Sequence, residues 1–141
     1  MATRSHTDGL AAVPLFEKLS KRDLQRVADV ATELQVEPGK LLVSQGRPGD
    51  ELFVILDGKA LVRRNDRKVG EMGPGEYFGE LSLLDRLPRA ADVVAHTPMR
   101  VLVIDRDRFQ TVLREVPDIA TTLLASMAAR LREAHAKAAS L

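Results

Sequence analysis

Cysteine is absent from the 141 residues of this chain. Without cysteine the protein has no disulfide, no thiolate nucleophile and no cysteine-ligated metal site. Long apolar runs are also missing. None approaches the roughly 18 residues of a membrane-spanning helix, and the polar start MATRSHTDG lacks the apolar core of a signal peptide. These absences predict a soluble, cytoplasmic protein with a flexible N-terminus over residues 1–9.

Net charge is nearly absent as well. The chain has 21 basic and 20 acidic residues spread along its length, for a net charge of +1. A nucleic-acid-binding protein is expected to present a strongly positive surface, so the charge argues against direct binding of nucleic acid. His6, His96 and His135 lie far apart, with no histidine or carboxylate at metal-ligand spacing, so no metal site is predicted.

The glycines indicate where the β structure lies. Eight of the nine glycines fall between Gly39 and Gly79, and three Pro-Gly pairs there separate short apolar runs. This pattern is typical of an antiparallel all-β unit with tight turns, and we assign the glycines and Pro-Gly pairs no role beyond turns. The predicted strands are 40–44, 51–57, 59–64, 67–72, 91–95 and 100–105. Strands at this spacing favour a sandwich or a small barrel within one domain, residues 10–141.

Helical patterns flank the β region. Ser20, with Asp23 three residues later, resembles a capping box, and apolar residues then recur at helical spacing at Leu24, Val27, Ala28, Ala31 and Leu34. Asp105 is positioned to cap a second helix that includes Phe109 and Val112, and Pro117 ends or restarts it.

The last segment predicts a long helix over about 118–139, because it has no glycine or proline and is rich in strong helix formers. One face carries a heptad-like series, which we call the seam: Ala120, Leu124, Met127, Leu131, Ala134 and Ala138. The seam is compatible with packing against the domain itself or against a partner helix.

Residues 78–94, FGELSLLDRLPRAADVV, place two opposite charges in an apolar stretch. Gly79 permits a close backbone approach, and the N–H groups that follow it open a short helix. Pro88 ends any helix, so that Arg89 begins an extended segment from which its guanidinium can bind a phosphate. Glu80 is suited instead to accept hydrogen bonds from sugar hydroxyls.

This pattern, F-G-E-L-S-L-L followed by P-R-A-A, resembles the phosphate-binding cassette of cyclic nucleotide-binding domains. That family includes catabolite activator proteins, regulatory subunits of cAMP-dependent protein kinase and cyclic-nucleotide-gated channels. The similarity extends over most of the chain, from PLFEKLS to the long C-terminal helix. It implies a mainly β fold, a double-stranded β-helix (a jelly-roll or cupin-like β-roll), with an N-terminal helix and C-terminal helices.

The resemblance also implies the ligand contacts. Arg89 is expected to pair with the cyclic phosphate and Glu80 to accept from the ribose 2′-hydroxyl. The surrounding backbone is expected to close around the sugar-phosphate at Gly79, Leu81, Ser82, Ala90 and Ala91. In that family a Thr or Ser directly after the arginine favours guanine, so Ala90 favours cAMP over cGMP.

Two further features concern the base and the phosphate. Family comparison places Val62 and Val69 beside the base, and the C-terminal helix offers Met127, Arg130 and Leu131 to cap it. Asp92 stands where the family often has Thr. Strand alternation would point its carboxylate away from the phosphate, and otherwise it would weaken binding.

The resemblance predicts a regulatory module without enzymatic activity or metal. It would bind cAMP, rearrange its C-terminal helices and signal to a protein partner or a fused effector domain, with a homodimer through the seam as a possibility. Two alternatives are the sensor part of a catabolite activator-like transcription regulator and a degenerate domain that no longer binds a ligand. The chain stops at Leu141, before any helix-turn-helix domain, which disfavours direct DNA binding unless the sequence is a fragment. A cupin-like enzyme would need clustered histidine and carboxylate ligands that the strands lack.

Overall fold

The computed structural model describes residues 9–140, with side chains through residue 137. The predicted flexible segment 1–9 therefore lies outside the described residues except for Gly9, which is helical. A 3₁₀ turn at Pro14–Phe16 precedes helix α1 (Lys21–Val30). The strands are β1 (Thr32–Val36), β2 (Leu41–Val43), β3 (Glu51–Asp57), β4 (Ala60–Arg64), β5 (Arg67–Met72), β6 (Tyr77–Phe78), β7 (Asp92–Ala95) and β8 (Met99–Asp105). The later helices are α2 (Glu80–Asp85), α3 (Arg106–Glu115) and α4 (Pro117–Ser140).

Two four-stranded antiparallel sheets form the β-roll. One sheet has the strand order β1-β8-β3-β6 and the other β2-β7-β4-β5. The helices contact the first sheet, through α2 on β3 and α3 on β3 and β8. This arrangement confirms the predicted mainly β fold with flanking helices. All six predicted strands are present, each to within one residue at either end.

Strand β3 shows why the first sheet lies in the middle of the molecule. Leu52 and Val54 pack into a core formed with the helices, whereas Phe53 and Ile55 pack into a second core between the two sheets. Successive side chains of a strand point to opposite faces, so a strand buried on both faces reads as a continuous apolar run. The sequence LFVI at 52–55 is such a run.

The predicted caps of both helices are present. The Ser20 hydroxyl accepts from the backbone N–H of Asp23 at 3.1 Å, and the Asp105 carboxylate accepts from that of Arg108 at 2.9 Å. Such caps satisfy N–H groups that a helix start leaves without a partner. Pro117 restarts the chain as α4, directly after the C-cap of α3 at Val116.

The helical prediction for Ala31 and Leu34 was wrong. Ala31 is the C-cap of α1 with an extended backbone, and Leu34 lies in β1, where it is exposed and pairs with Val101 of β8. Both residues happen to fall at helical spacing after Val27. Pairing with a strand about 67 residues later decides the local structure instead.

Helix α4 packs on the domain through Ile119, Leu123 and one seam residue, Met127, which is partly buried against the same core. Ile119 and Leu123 are buried in the core beneath the helices. On the seam, Leu124 is 67% exposed and Leu131 is 58% exposed. The domain therefore covers only the inner side of α4. No helix in the described part of the chain is both long and apolar enough to cross a membrane.

Candidate functional site

The site begins where β6 passes into α2. Gly79 is the N-cap of α2 and has a φ of 96°, a left-handed conformation that side chains disfavour. A Cβ at this position would lie 2.5 Å from the Glu51 carbonyl oxygen and 2.8 Å from Nη1 of Arg89. Gly79 is thus required by both the backbone conformation and the close approach. The close approach predicted from the sequence is made to β3 and to the cassette arginine.

Arg89 is only 6% exposed, which is unusual for an arginine. Its Nη1 donates to the Gly79 carbonyl at 3.1 Å, and its Nη2 donates to the Glu51 carbonyl at 3.0 Å. Burial lowers the pKa of Arg89, while the neighbouring carboxylates of Glu51 and Asp50 oppose that shift. The guanidinium is therefore held as a buried cation whose hydrogen bonds go to carbonyls and not to a neutralising carboxylate.

Gly49 is a site residue that the sequence analysis missed, because it was assigned only to a turn. A Cβ at Gly49 would lie 1.9 Å from Nε of Arg89 and 2.2 Å from its Cζ. The guanidinium therefore lies directly against the Gly49 backbone. No local pattern in the sequence could reveal this, since the two residues are 40 positions apart.

Glu80, at the start of α2, is the second buried charge and is 3% exposed. Its Oε1 accepts from Nη1 of Arg130, on α4, at 2.8 Å. The Arg130 guanidinium also lies over the ring of Tyr77, 5.4 Å from the ring centre. Burial opposes the charge of Arg130, but the hydrogen bond to Glu80 and the charge of Glu80 outweigh it and raise the pKa of Arg130.

A further hydrogen bond joins the same elements, from the Tyr77 hydroxyl to Oγ of Ser126 at 3.0 Å. Helix α4 is thus attached to the site by the Glu80–Arg130 ion pair, by the contact of Arg130 with the Tyr77 ring and by this hydrogen bond. Among the described residues, no ion pair joins Glu80 to Arg89. The two buried charges therefore keep separate partners on the wall of one cavity.

That cavity, of about 340 Å³, falls within the roughly 300–1,000 Å³ typical of small-molecule sites. All seven residues predicted to contact the sugar-phosphate line it: Gly79, Glu80, Leu81, Ser82, Arg89, Ala90 and Ala91. The apolar part of the wall includes Val62, Val93 and Met72.

Of the five residues predicted to flank the base, two line the cavity and three do not. Val62 and Arg130 line the cavity. Val69 is 54% exposed on β5, Leu131 is exposed on the seam, and Met127 packs against the helix-covered core. These last three, all in the described part of the chain, do not line the cavity in this arrangement.

Asp92 points away from the cavity. Its Oδ1 accepts from the backbone N–H of Gln45 at 2.6 Å, and in the sheet it lies opposite Arg63. Its neighbours Ala91 and Val93 line the cavity instead. The carboxylate of Asp92 therefore stabilises a loop and does not face the place predicted for the phosphate.

Within the described residues, no group of three or more histidine, aspartate or glutamate side chains could hold a metal ion. The chemistry that the cavity does offer is a buried cation, a buried carboxylate and apolar surface. An amphipathic anion with hydroxyl groups matches that combination.

Comparison with known proteins identifies the family. A family described as "Cyclic nucleotide-binding domain" matches residues 33–116. This chain belongs to the cyclic nucleotide-binding domain family. The match covers the two sheets, the cassette and α3.

Solved structures of similar proteins include the catabolite activator protein of Thermus thermophilus, with 32% identity over 88% of this chain and a TM-score of 0.82. The regulatory domain of Toxoplasma gondii PKA, solved with cAMP, has 25% identity over 92% of this chain and a TM-score of 0.79. The N-terminal domain of a Streptomyces coelicolor transcriptional regulator has 33% identity over 92% of this chain and a TM-score of 0.73.

The matches differ in how much of each protein they cover. This chain spans 61% of the Thermus chain, 50% of the Toxoplasma chain and 94% of the Streptomyces chain.

Proposed function

We propose that this domain is a non-catalytic regulatory module of the cytoplasm that binds cAMP in preference to cGMP. The cyclic phosphate is bound by Arg89 and the ribose 2′-hydroxyl by Glu80. The observation that carries the proposal is the pair of opposite charges, each less than a tenth exposed, on the wall of one cavity. Glu80 already has Arg130 as its ion partner, whereas Arg89 is buried without a paired carboxylate, which is costly and favours a ligand whose anionic group neutralises Arg89 and whose hydroxyl bonds to Glu80.

Arg89 is suited to the phosphate because two of its five N–H groups bond to carbonyls and leave donors for a ligand. A phosphate would also supply the negative charge that its partners lack. Glu80 is suited to the ribose because Arg130 occupies Oε1, and a carboxylate has about four acceptor sites over its two oxygens.

The preference for cAMP rests on Ala90, which has no hydroxyl to hydrogen-bond a guanine. The Toxoplasma relative was solved in complex with cAMP, which supports the same ligand class. Val62 offers an apolar surface for the base, and the flat guanidinium of Arg130 is a candidate to stack on it.

Binding is proposed to reposition α4, because Arg130 and the ligand would share the Glu80 carboxylate. A ligand shifts such an equilibrium only as far as its affinities for the two arrangements differ. The ion pair at 2.8 Å and the Tyr77–Ser126 hydrogen bond are the contacts through which that difference would arise. The altered helix would then be read by a protein partner or by a fused effector domain.

Isothermal titration calorimetry tests the proposed ligand and its contact with Arg89. cAMP and cGMP are titrated into the wild type and into the variants Arg89→Gln and Arg47→Gln. Arg47 is an exposed arginine nearby, so its substitution is the control for loss of one positive charge. We expect cAMP to bind more tightly than cGMP, Arg89→Gln to weaken binding at least about 100-fold, and Arg47→Gln to bind as the wild type does. No heat with either nucleotide would support the degenerate domain instead, and a preference for cGMP would refute the argument from Ala90.

The exposed seam favours a homodimer as a second element of function, in line with a sensor for a transcription regulator. Leu124 and Leu131 present large apolar side chains on the outer face of α4. We expect light scattering to give twice the chain mass for the wild type and a monomer for Leu124→Glu. Leu87→Glu, at another exposed leucine, is the control that should stay dimeric. A monomeric wild type would refute the proposed homodimer and would leave the proposal on ligand binding unchanged.

A further inference from the structure

The hairpin formed by β4 and β5 concentrates positive charge in a chain whose net charge is only +1. Four of the six residues at 63–68, RRNDRK, are basic and one is acidic. Asn65 and Asp66 form its two-residue turn with φ values of 54° and 64°. Positive φ at both central residues characterises the tight turn that fits the twist of a hairpin. The four cations are therefore held on two paired strand ends, beyond a register shift between Val62 and Arg63 in the pairing of β4 with β5.

The pairing of the strands divides these cations between two faces. Arg64 lies opposite Arg67, and Arg63 lies opposite Lys68. Alternate residues of a strand share a face, so Arg64 lies on the same side as Val62, which lines the cavity. Arg64 and Arg67, which we call the rim arginines, are therefore on the cavity side of the sheet.

A direct contact supports that placement. Nε of Arg64 donates to the Ala90 carbonyl at 3.3 Å, and Ala90 lines the cavity beside Arg89. One edge of the Arg64 guanidinium is therefore anchored to the cassette. The other N–H groups of Arg64 remain as exposed donors beside Ala90, which lines the cavity.

The rim arginines are costly to the fold. Like charges directly opposite each other in an antiparallel pair are destabilising. Among the described residues, neither rim arginine has a carboxylate within ion-pair distance. On the other face Lys68 pairs with Glu71 at 3.6 Å, and Arg63 lies opposite Asp92.

The hairpin tip is also held in place. Gln45 donates from Nε2 to Oδ1 of Asn65 at 3.0 Å and accepts from the Asn65 backbone N–H at 2.8 Å. The loop that carries Gln45 is bonded to the cassette, through the Gly46 N–H to the Arg89 carbonyl at 2.8 Å. These hydrogen bonds fix the hairpin tip, which carries the rim arginines, relative to the cassette.

We propose that Arg64 and Arg67 capture the anionic cyclic nucleotide at the cavity mouth and so raise its rate of association. This inference rests on the proposed function. Arg89 is buried in the cavity wall, whereas the rim arginines are exposed and can contact an anion that has not yet entered the cavity. Exposed charge of one sign around a cleft raises the association rate of an oppositely charged ligand, and salt screens the effect. Dissociation depends instead on the buried contacts with Glu80 and Arg89.

The test compares two double variants that each remove two positive charges from the same hairpin. One is Arg64→Gln/Arg67→Gln on the cavity side, and the other is Arg63→Gln/Lys68→Gln on the opposite side. Stopped-flow mixing with a fluorescent analogue of cAMP gives the association and dissociation rates. Thermal unfolding of each variant checks that the fold is retained.

At an ionic strength of about 0.01 M we expect the rim variant to associate roughly tenfold more slowly than the wild type. The opposite-face variant should associate within about twofold of the wild-type rate. The difference should vanish near 1 M salt, where the screening length is about 3 Å. Dissociation rates should change by less than about twofold in both variants, because steering acts on association.

Equal slowing in both variants would overturn the inference, since it would show a general effect of net charge. An unchanged association rate, or a change confined to dissociation, would overturn it as well. Failure of the wild type to bind any cyclic nucleotide is a different result, because it refutes the proposed function and this inference falls with it.

Discussion

Substitution of Gly49 by alanine tests the way in which Arg89 is held. The new Cβ would lie 1.9 Å from Nε and 2.4 Å from Nη2 of Arg89, far inside contact distance. The φ of Gly49 is not in the left-handed region, so alanine itself fits the backbone there. The whole effect must therefore arise from displacement of the Arg89 side chain.

The magnitude follows from the contacts that Arg89 would lose. Its hydrogen bonds to the carbonyls of Gly79 and Glu51 involve a charged donor, and each such bond contributes about 1.5–3 kcal/mol. The displaced guanidinium regains hydration, so we expect the free energy of unfolding to fall by about 1–3 kcal/mol. Because Arg89 would no longer be positioned for the phosphate, we expect affinity for cAMP to fall by about 2–3 kcal/mol, or roughly 30- to 150-fold.

Urea unfolding and isothermal titration measure the two effects. Gly70→Ala is the matched control, since a Cβ at Gly70 meets nothing within 4 Å and its φ is ordinary. That variant should keep wild-type affinity and gain up to about 1 kcal/mol of stability, because alanine restricts the unfolded chain. If Gly49→Ala binds cAMP as the wild type does, Arg89 does not act from the position described.

Three further substitutions test other contacts. Glu80→Gln keeps the shape of the side chain but removes its charge. We expect isothermal titration to show that cAMP binds roughly tenfold more weakly. An unchanged affinity would exclude Glu80 from the ribose contact. Tyr77→Phe removes the hydrogen bond to Ser126, so amide hydrogen exchange in α4 should become faster and the free energy of unfolding should fall by about 1 kcal/mol. Unchanged exchange would show that this bond does not hold the helix. Asp92→Ala removes the acceptor for the Gln45 N–H and should lower the free energy of unfolding by about 1–3 kcal/mol, with little change in the affinity for cAMP. Tighter cAMP binding would mean that the Asp92 carboxylate repels the phosphate.

Much of the fold could be predicted because its determinants are local. The Pro-Gly turns, the apolar run of β3 and the caps at Ser20 and Asp105 each depend on a few adjacent residues. The two missed strands show the limit. β6 has only two residues, too few for any pattern. The spacing of Ala31 and Leu34 predicts helix at the start of β1, and the partner strand β8 that decides otherwise lies far away in the chain.

The residues of the candidate site likewise include some that could be predicted from the sequence and others that could not. Gly79, Glu80 and Arg89 could be named from their residue types, and the resemblance to the family added Leu81, Ser82, Ala90 and Ala91, since the cassette is one continuous segment. Of the proposed base contacts, only Val62 and Arg130 lie on the cavity. The sequence left undecided which face of α4 would turn inward, and the packing of Ile119 and Leu123 decided it.

The sequence by itself determined the mainly β domain, the turns, the helix caps and the presence of a cassette with one cation and one carboxylate to place. Tertiary structure decided what surrounds those charges. Gly49 lies against Arg89, Arg130 reaches Glu80, and Arg64 reaches Ala90. The physical reason is distance along the chain: these pairs are separated by 40, 50 and 26 residues. They meet only because the two sheets and α4 pack around one cavity.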